Sequence, residues 1–493
     1  MTFKLHNTLT GKLEEFVSLE PNQVSLYTCG PTVYDYLHVG NWAAYIYWDT
    51  LVRVLMANDY TVNRVMNITD VGHLVSDADE GEDKLEKGAK REGKTAWEVA
   101  DFYTKDFLNN SDRLGLVTPQ HIAKATDFIS QQLDLVRTLK EKGYTYQIDD
   151  GVYFDTSKFP TYADFAHLNL ESLQAGARVK FNPQKRHPSD FALWKFTPEG
   201  EERDMEWQTP GDLLEEQRVA ASGAVPIMGF PGWHLECSAM AMSLLGETLD
   251  IHTGGIDHIP VHHTNEIAES EAATGKRFSN YWLHNNHLKA DGTKISKSLG
   301  NGYTLDDLEK KGFTPHDYRL FVLQSHYRTE GNFTFDNLTA AKNRLHNWRN
   351  NAALRHQIHD TLTDDRDREA DNKAVSLYAT SQALLEALGN DLNTPEALML
   401  IDDAFSRLLG AKLENIHRHA LVELLETIDN TLGLQLIDSS DDISDDSKRL
   451  IVQRTNARNN KDWSQSDALR DELLGQGIVI RDTLSGSVWE YVA

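Results

Sequence analysis

Residues 23 to 68 constrain the fold of this 493-residue chain more narrowly than any other stretch. The run "QVSLYTC" (23–29) is typical of a strand that ends in a Gly-Pro turn. From 38 to 58, apolar residues recur at mostly helical spacing, and "YTVNRVMNI" then indicates a second strand. A strand, a helix and a strand in this order predict a right-handed βαβ unit and hence a parallel sheet. The helix would point its positive end at the carboxyl edge of that sheet, where anionic ligands bind.

Length and composition restrict the class of protein. The chain is too long for one hydrophobic core, so several domains are expected. It contains no run of about 18 apolar residues, which predicts no membrane partner, and its first residues lack the features of a signal peptide. Two cysteines do not make a disulfide framework, so we expect a cytoplasmic protein. The net charge of −26 excludes a generally basic surface but allows local basic patches that bind nucleic acid.

The two cysteines raise the question of a metal site. Cys29 follows the first strand, and Cys237 lies in "GWHLECSAM". His262 and Glu266 are four residues apart, so on a helix they would share one face. Thiolate, imidazole and carboxylate are all ordinary zinc ligands. The alternative is that the cysteines are small buried residues, and spacing alone favours that interpretation because no CxxC pair is present.

Two short motifs could grip a nucleotide. "HVGN" (38–41) opens the first helix, and "KISKS" (294–298) lies in a loop flanked by glycines. Two lysines three residues apart can reach a polyphosphate and offset charge that grows during a reaction. Each motif alone is equally typical of ordinary surface. The first motif, however, follows the first strand of the sheet, and the second follows the last strand of the same sheet. This order suggests that the two motifs hold one triphosphate from two sides.

These blocks resemble the signature motifs of the class I aminoacyl-tRNA synthetases, and in particular the cysteinyl-tRNA synthetase family. "HVGN" and "KISKS" correspond to the family's two signatures. Further blocks in the family's order extend the resemblance from about residue 4 to residue 490: "TCGPTVYDYLHVGN", "NITD", "DFALWK", "PGWHLECSAM", "DIHTGGIDH", "HHTNEIAES", "NDLNTPEAL" and "ALRDELLGQGIVIRDT".

The resemblance implies an α/β fold. A Rossmann-like parallel-sheet catalytic domain with an inserted connective region would be followed by an α-helical bundle and a small α+β C-terminal domain. The expected segments are the first half of the catalytic domain (1–114), the connective insertion (115–230), the second half with the KISKS loop (231–302), a stem-contact region (303–344), the helical anticodon-binding bundle (345–436), and an acidic linker with the small anticodon-recognition domain (437–493).

The resemblance also implies ATP-dependent activation of L-cysteine to cysteinyl-adenylate and its transfer to the 3′ end of tRNA(Cys). One zinc ion would bind the substrate thiolate and so recognise cysteine, and Mg²⁺ would be bound together with ATP. The implied residues are the zinc ligands Cys29, Cys237, His262 and Glu266; the catalytic residues His38, Asn41, Lys294 and Lys297, which also bind ATP together with Gly40 and Asp257; the cysteine pocket of Thr69, Trp233, His252 and Asp257; and the tRNA contacts Arg458, Trp463, Asp467 and Asp482.

Some points depart from the family pattern or stay open. The chain is longer than expected after "NITD" and between residues 196 and 230. Alternatives are a ligase that attaches cysteine to a sugar amine, a zinc hydrolase that uses His262 and Glu266, and a non-catalytic tRNA-binding paralogue. The first would lack the helical bundle and tail, the second would need an open metal position for water, and the third would have lost signature residues such as Lys297. A monomer is expected, because nothing in the sequence requires a dimer.

Overall fold

A computed structural model describes residues 3–71, 83–168, 182–216, 225–296, 299–357, 372–409, 416–483 and 486–492. The first third of the chain contains the expected βαβ unit. A β-hairpin precedes it, and two helices follow it. The elements are β1 Lys4–Asn7, β2 Lys12–Glu15, β3 Gln23–Thr28, α1 Val39–Ala57, β4 Thr61–Ile68, α2 Lys84–Glu92, α3 Ala96–Arg113 and β5 His121–Lys124.

The connective region folds around its own antiparallel sheet, with strand order β6-β7-β8-β10-β9. One face of this sheet packs on α4 and the helix that follows the region, through a cluster that includes Val136, Phe154 and Leu193. Its elements are α4 Ile129–Glu141, β6 Thr145–Ile148, β7 Gly151–Phe154, β8 Phe191–Phe196, β9 Trp207–Gln208 and β10 Met228–Pro231.

The chain then returns to the central sheet. Strands β11 and β12 complete a five-stranded sheet of order β12-β11-β3-β4-β5, in which every neighbouring pair is parallel. The predicted parallel sheet is therefore confirmed. The elements of this part are α5 Trp233–Leu245, β11 Leu249–Gly255, α6 Thr264–Thr274, β12 Ser279–Asn285, β13 Leu288–Ala290 and β14 Thr293–Lys294.

The remaining chain is mostly helical, as the sequence predicted, and ends in a small α+β unit. The C-terminal hairpin packs on the helices before it through Leu473, Ile480 and Trp489. The elements are α7 Leu305–Glu309, α8 Pro315–Leu323, β15 Gly331–Phe333, α9 Phe335–Ala353, α10 Asn372–Leu388, α11 Thr394–Leu409, α12 Arg418–Leu432, α13 Asp445–Asn459, α14 Trp463–Gly475, β16 Ile478–Thr483 and β17 Gly486–Tyr491.

Helix α1 is buried and packs against several other elements. Its buried residues include Trp42, Ile46 and Leu51, and a helix that is apolar on most sides must be enclosed by other elements. It contacts α8 and α12 of the helical region as well as strand β4. The helix that begins at "HVGN" is thus packed against both the central sheet and the helical bundle.

Candidate active site and metal centre

The two signature segments are in contact with each other. His38 caps the N-terminus of α1, and its Nδ1 accepts a hydrogen bond from the backbone amide of Asn41 at 3.3 Å. The Asn41 side chain accepts one from the His38 amide at 3.1 Å. A Cβ atom on Gly40 would lie 3.0 Å from the His38 ring and 3.1 Å from the side chain of Ile295. Glycine at this position therefore lets the second signature loop close against the first.

The KISKS loop begins on a short strand and is held by an asparagine. Lys294 is the last residue of β14, and its side chain is exposed. The Asn301 side chain donates a hydrogen bond to the Lys294 carbonyl at 3.1 Å and accepts one from the Ser296 amide at 2.8 Å. Lys297 lies outside the described residues. Asn301 is a loop-positioning residue that the sequence analysis did not identify.

The four predicted metal ligands converge at the carboxyl edge of the sheet. Cys29 directly follows β3, Cys237 lies on α5, His262 lies in the π-helical turn 259–263, and Glu266 lies on α6. The ligand atoms of Cys237, His262 and Glu266 are within 4.8 Å of one another. Cys29 is partly exposed and forms an adjoining group with His252 and His263, which were not predicted as ligands. Its contacts with Cys237 and His262 connect the two groups. Four separate segments of the chain thus meet at this edge.

The carboxylate of Glu266 is well suited to a cation. Glu266 is completely buried, and His252 Nε2 and His262 Nε2 lie 3.2 Å and 3.5 Å from its two oxygens. Neither oxygen takes part in a well-oriented hydrogen bond within the described part of the chain. A buried carboxylate without hydrogen bonds is unfavourable, so the donor set present here fits a divalent metal.

The two thiols are in contact and shift each other's pKa. The hydrogen bond between Cys237 and Cys29 holds the pKa of Cys29 well below its ordinary range and raises the pKa of Cys237. A thiol binds a metal as the thiolate. The lowered pKa of Cys29 therefore favours the form that a metal binds.

Additional histidines surround the cysteine pair, and the sequence analysis did not identify them. Burial opposes the charge on His258, but its hydrogen bond to Cys29 raises the pKa of His258 to about 9. His263 Nε2 lies 3.5 Å from Cys29 Sγ, and its Nδ1 lies 2.7 Å from His284 Nε2. The other ring nitrogen of His284 lies 2.8 Å from the Thr8 hydroxyl. The run "HIPVHH" is the sequence signal that could have revealed the first two.

The residues predicted for the cysteine pocket lie around the metal cluster. The Trp233 ring stacks on the His262 ring with centroids 4.5 Å apart. His252 is buried and contacts Glu266, so it belongs to the cluster itself. Thr69 is buried at the end of β4, whereas Asp257 is exposed in the short turn before the histidine run.

Three of the four residues predicted to contact tRNA are close together on the C-terminal unit. Asp482 receives two hydrogen bonds from Arg454, each at 2.9 Å, and an ion pair from Arg458 at 2.9 Å. The Arg458 guanidinium lies 5.7 Å from the centre of the Trp463 ring, and that side chain is 57% exposed. Asp467 lies 3.4 Å from Arg470 and is near enough to Arg454 to act on it electrostatically. Arg454 belongs to the basic run "RTNARNNKDW" but is not one of the four predicted tRNA contacts.

Comparison with known proteins agrees with this geometry. Residues 15–343 match the family described as "tRNA synthetases class I (C) catalytic domain", and residues 440–489 match "Cysteinyl-tRNA ligase anticodon binding domain". The methionyl-tRNA synthetase of Mycobacterium tuberculosis has the same fold, with a TM-score of 0.61 at 14% identity over 85% of this chain and 93% of its own. A leucyl-tRNA synthetase of Agrobacterium radiobacter K84 superimposes with a TM-score of 0.59 at 13% identity over 87% and 86%. The fold and the two signatures define a class I aminoacyl-tRNA synthetase.

Relatives of similar length show which family within this class the chain belongs to. The cysteine–tRNA ligase of Treponema denticola is 39% identical over 99% of this chain and 100% of its own. Cysteine–tRNA ligase 1 of Burkholderia lata is 40% identical over 99% and 96%. The chain belongs to the cysteinyl-tRNA synthetase family, whose members are enzymes that act on an amino acid, ATP and tRNA.

These comparisons confirm the predicted fold class, family and enzyme class. The match to an anticodon-binding domain argues against the sugar-amine ligase, which would lack the tail. Among the described residues, no helix is long and apolar enough to cross a membrane.

Proposed function

We propose that this ligase selects L-cysteine through one zinc ion held by Cys29, Cys237, His262 and Glu266. The observation that carries the proposal is that Cys237, His262 and Glu266 lie within 4.8 Å of one another and that Cys29, from a fourth segment, contacts two of them. The hydrogen-bond-poor carboxylate of Glu266 supports it further. Two sulfurs, a nitrogen and an oxygen are a donor set that suits zinc.

Zinc, when bound, would supply a Lewis-acidic site that takes the sulfur of the substrate as the thiolate. A free thiol has a pKa of about 8.5, whereas the hydroxyl of serine is harder and far less acidic. The shape of a pocket alone rejects a near-isostere by only about 100-fold. If a metal–sulfur bond distinguishes cysteine from serine, the enzyme needs no separate domain that hydrolyses wrongly attached serine.

The proposed reaction has two steps. The carboxylate of cysteine attacks the α-phosphorus of ATP, forming cysteinyl-adenylate and releasing pyrophosphate. A hydroxyl of the terminal ribose of tRNA(Cys) then attacks the acyl carbon, and AMP leaves. No side chain acts as a nucleophile, so positioning and charge stabilisation lower the barrier.

The signature segments are assigned to ATP, with Mg²⁺ on its triphosphate. The contact between Gly40 and Ile295 supports this assignment, because it brings the two segments to one place. The amides at the start of α1 would receive phosphate oxygens, and the KISKS lysines would neutralise the leaving pyrophosphate. The assigned residues are His38, Gly40, Asn41, Asp257, Lys294 and Lys297.

The cysteine pocket is assigned to Thr69, Trp233, His252 and Asp257. The stacking of Trp233 on His262 supports a pocket that adjoins the metal. The exposed carboxylate of Asp257 is available to the substrate amino group or to the ribose of the nucleotide. The buried position of Thr69 at the carboxyl end of β4 puts its hydroxyl on the same sheet edge.

Recognition of tRNA(Cys) is assigned to Arg458, Trp463, Asp467 and Asp482. An exposed tryptophan beside an arginine suits a base of a single-stranded loop, which stacks on aromatic rings. Carboxylates accept hydrogen bonds from exocyclic amines of bases. Because Asp482 already binds two arginines, we assign it chiefly to holding Arg458 in place.

We retain the six predicted segments as functional units: 1–114, 115–230, 231–302, 303–344, 345–436 and 437–493. The connective region and the C-terminal unit each have an antiparallel sheet separate from the central sheet, which supports treating these two segments as units. We further propose a monomer in the cytoplasm. The two free thiols of the cluster support a reducing compartment.

Cysteine-dependent exchange of pyrophosphate into ATP tests the proposal. The assay uses purified, zinc-depleted and zinc-restored protein, with serine as the competing amino acid. We expect exchange with cysteine to disappear on depletion and to return with zinc. Glu266→Gln should lose both zinc and exchange, whereas the control Glu247→Gln, at an exposed position, should keep both. Full, cysteine-selective exchange by zinc-free protein would contradict the proposal.

A further inference from the structure

A cavity of about 580 Å³ lies beside the two signature segments and takes no part in the steps proposed for cysteine and ATP. Tyr36, two residues before His38, forms one side, and Gly302 and Tyr303, shortly after the KISKS loop, form another. The backbone amide of Val39 donates a hydrogen bond to the Tyr303 carbonyl at 2.8 Å, which joins the cavity to the start of α1. Its volume is in the range of small-ligand pockets.

One wall of the cavity carries an exposed aromatic ring. The Tyr36 side chain is 43% exposed. Its ring is held from the side by Tyr103, with centroids 5.1 Å apart, and by Phe102 at 6.1 Å, both in edge-to-face geometry. A large ring that is fixed by neighbours and still faces solvent is the usual platform on which an unpaired base stacks.

Two adjacent lysines also line the cavity. Lys310 and Lys311 directly follow α7 and line the cavity; the Lys310 side chain is 75% exposed. Lys310 Nζ lies 3.5 Å from Asp307 Oδ1, and Lys311 Nζ lies 4.8 Å from the centre of the Phe335 ring. The other oxygen of Asp307 caps α7 by accepting hydrogen bonds from the Thr304 amide at 3.1 Å and hydroxyl at 2.9 Å. One carboxylate therefore stands beside two lysines. In a chain of net charge −26, such a local cationic site is where a phosphate group would bind.

The elements that carry the ring and the lysines are fixed relative to each other. Arg113, the last residue of α3, reaches across to α7 and pairs with Asp306 at 2.7 Å and with Glu309 at 2.6 Å. The aromatic wall lies against α3 through Phe102, and the lysines follow α7. The cavity is therefore formed before any ligand binds, which lowers the entropic cost of binding.

We propose that this cavity binds one nucleotide of the unpaired 3′ end of the tRNA. Its base would stack on Tyr36, and its phosphate would lie at Lys310 and Lys311. The tRNA must bring its terminal ribose to the adenylate, so its last nucleotides must pass close to both signatures. This inference rests on the proposed transfer of cysteine to tRNA and does not depend on the zinc proposal.

Binding of full-length tRNA and of tRNA that lacks its last three nucleotides tests the proposal. The proteins are wild type, Tyr36→Ala, Tyr36→Phe and the double variant K310A/K311A. Wild type should prefer the full-length tRNA, and Tyr36→Phe should behave like it. Tyr36→Ala should bind full-length tRNA roughly 5- to 150-fold more weakly, the range for loss of one stacked base. K310A/K311A should lower the slope of log affinity against log salt by about 0.7 for each phosphate that is no longer neutralised. The double variant Lys12→Ala/Lys276→Ala, at two exposed lysines, is the control and should match wild type.

Two results decide the outcome. If the truncated tRNA binds equally to wild type and to Tyr36→Ala, the loss is confined to the 3′ end and the proposal holds. If the variants weaken full-length and truncated tRNA alike, or weaken ATP in cysteine-dependent pyrophosphate exchange, the cavity serves another part of the tRNA or the nucleotide, and the proposal is overturned. Because exchange requires no tRNA, it also reports whether the variants fold.

Discussion

The side-chain oxygen of Asn67 accepts a hydrogen bond from the backbone amide of Gly30 at 2.7 Å. The strands that carry the two residues approach so closely here that a Cβ atom on Gly30 would lie 1.7 Å from the Asn67 carbonyl oxygen. The amide nitrogen of the same Asn67 side chain donates to the Thr69 hydroxyl at 3.1 Å. One buried amide thus fixes the backbone next to Cys29, the proposed metal ligand, and the hydroxyl expected in the cysteine pocket.

Asn67→Ala is expected to disturb metal and substrate together. Loss of an outer hydrogen-bond partner of a metal site typically costs about 10- to 100-fold in metal affinity or activity. We expect weaker zinc binding and a higher KM for cysteine, measured by competition with a chelator and by pyrophosphate exchange. The control is Asn63→Ala, an exposed position on the same strand. Unchanged zinc affinity and KM in Asn67→Ala would show that the bridge has no positioning role.

Gly40→Ala tests the contact between the two signature segments. The added methyl group would press on His38 and Ile295 at 3.0 to 3.1 Å, so one signature must shift. The neighbours would have to move by a few tenths of an ångström, and catalysis by positioning is sensitive to small displacements. We expect a lower kcat in pyrophosphate exchange, with little change in zinc content. Gly88→Ala is the matched control, because its methyl group would meet neighbours at ordinary distances of 3.6 and 3.7 Å. Equal rates for both variants would contradict the account.

Arg319 on α8 forms a buried ion pair with Asp49 on α1, and both side chains are fully buried. Arg319 also donates to the Leu432 carbonyl at 2.6 Å, which ties the end of α12 to the signature helix. Removal of one partner of a buried pair costs roughly 3–5 kcal/mol. Arg319→Met is therefore expected to lower the midpoint of urea unfolding markedly. The exposed pair Lys276–Glu247 is the control, and Lys276→Met should have almost no effect. Equal midpoints for the two variants would show that the buried pair does not stabilise the fold.

The ionisation of Asp482 should make the stability of the C-terminal unit depend on pH in the acid range. Hydrogen bonds from Arg454, with burial opposing them, lower the pKa of Asp482 from 3.8 to about 2. Because the folded pKa lies below the unfolded one, this group stabilises the fold fully above pH 4 and loses its effect as the pH falls toward 2. Asp482→Asn should therefore unfold more easily than wild type at pH 6, and the difference should shrink at low pH. Tryptophan fluorescence of the unfolding transition measures it.

Arg454→Met removes the strongest partner of the same carboxylate and should reproduce this pattern. A difference between wild type and Asp482→Asn that stays constant from pH 6 to pH 2 would contradict the assigned cause. Both variants should also bind tRNA(Cys) more weakly, because Arg458 loses its support beside Trp463.

The central βαβ unit could be predicted because the residue pattern of each strand and helix lies within a short stretch of sequence. Apolar spacing in α1 and the β-rich runs around it follow from the periodicity of each element. The metal ligands were different, because Cys29 and Cys237 lie far apart and only the fold brings them together. Spacing alone favoured buried cysteines, and the family resemblance supplied the ligand set.

Other parts of the site had no readable signal in one sequence. Arg319 and Arg454 look like surface residues until their partners on other elements are known. The histidines around Cys29 were missed because their roles depend on which side chains are buried together. Lys297 remains a prediction, since it lies outside the described residues.

X-ray absorption at the zinc edge, before and after addition of cysteine, tests the central claim most directly. The account predicts one zinc per chain with two sulfur neighbours in the free protein and three when cysteine is bound, whereas serine leaves the count at two. A purified active enzyme without zinc, or a sulfur count that cysteine does not change, would contradict it.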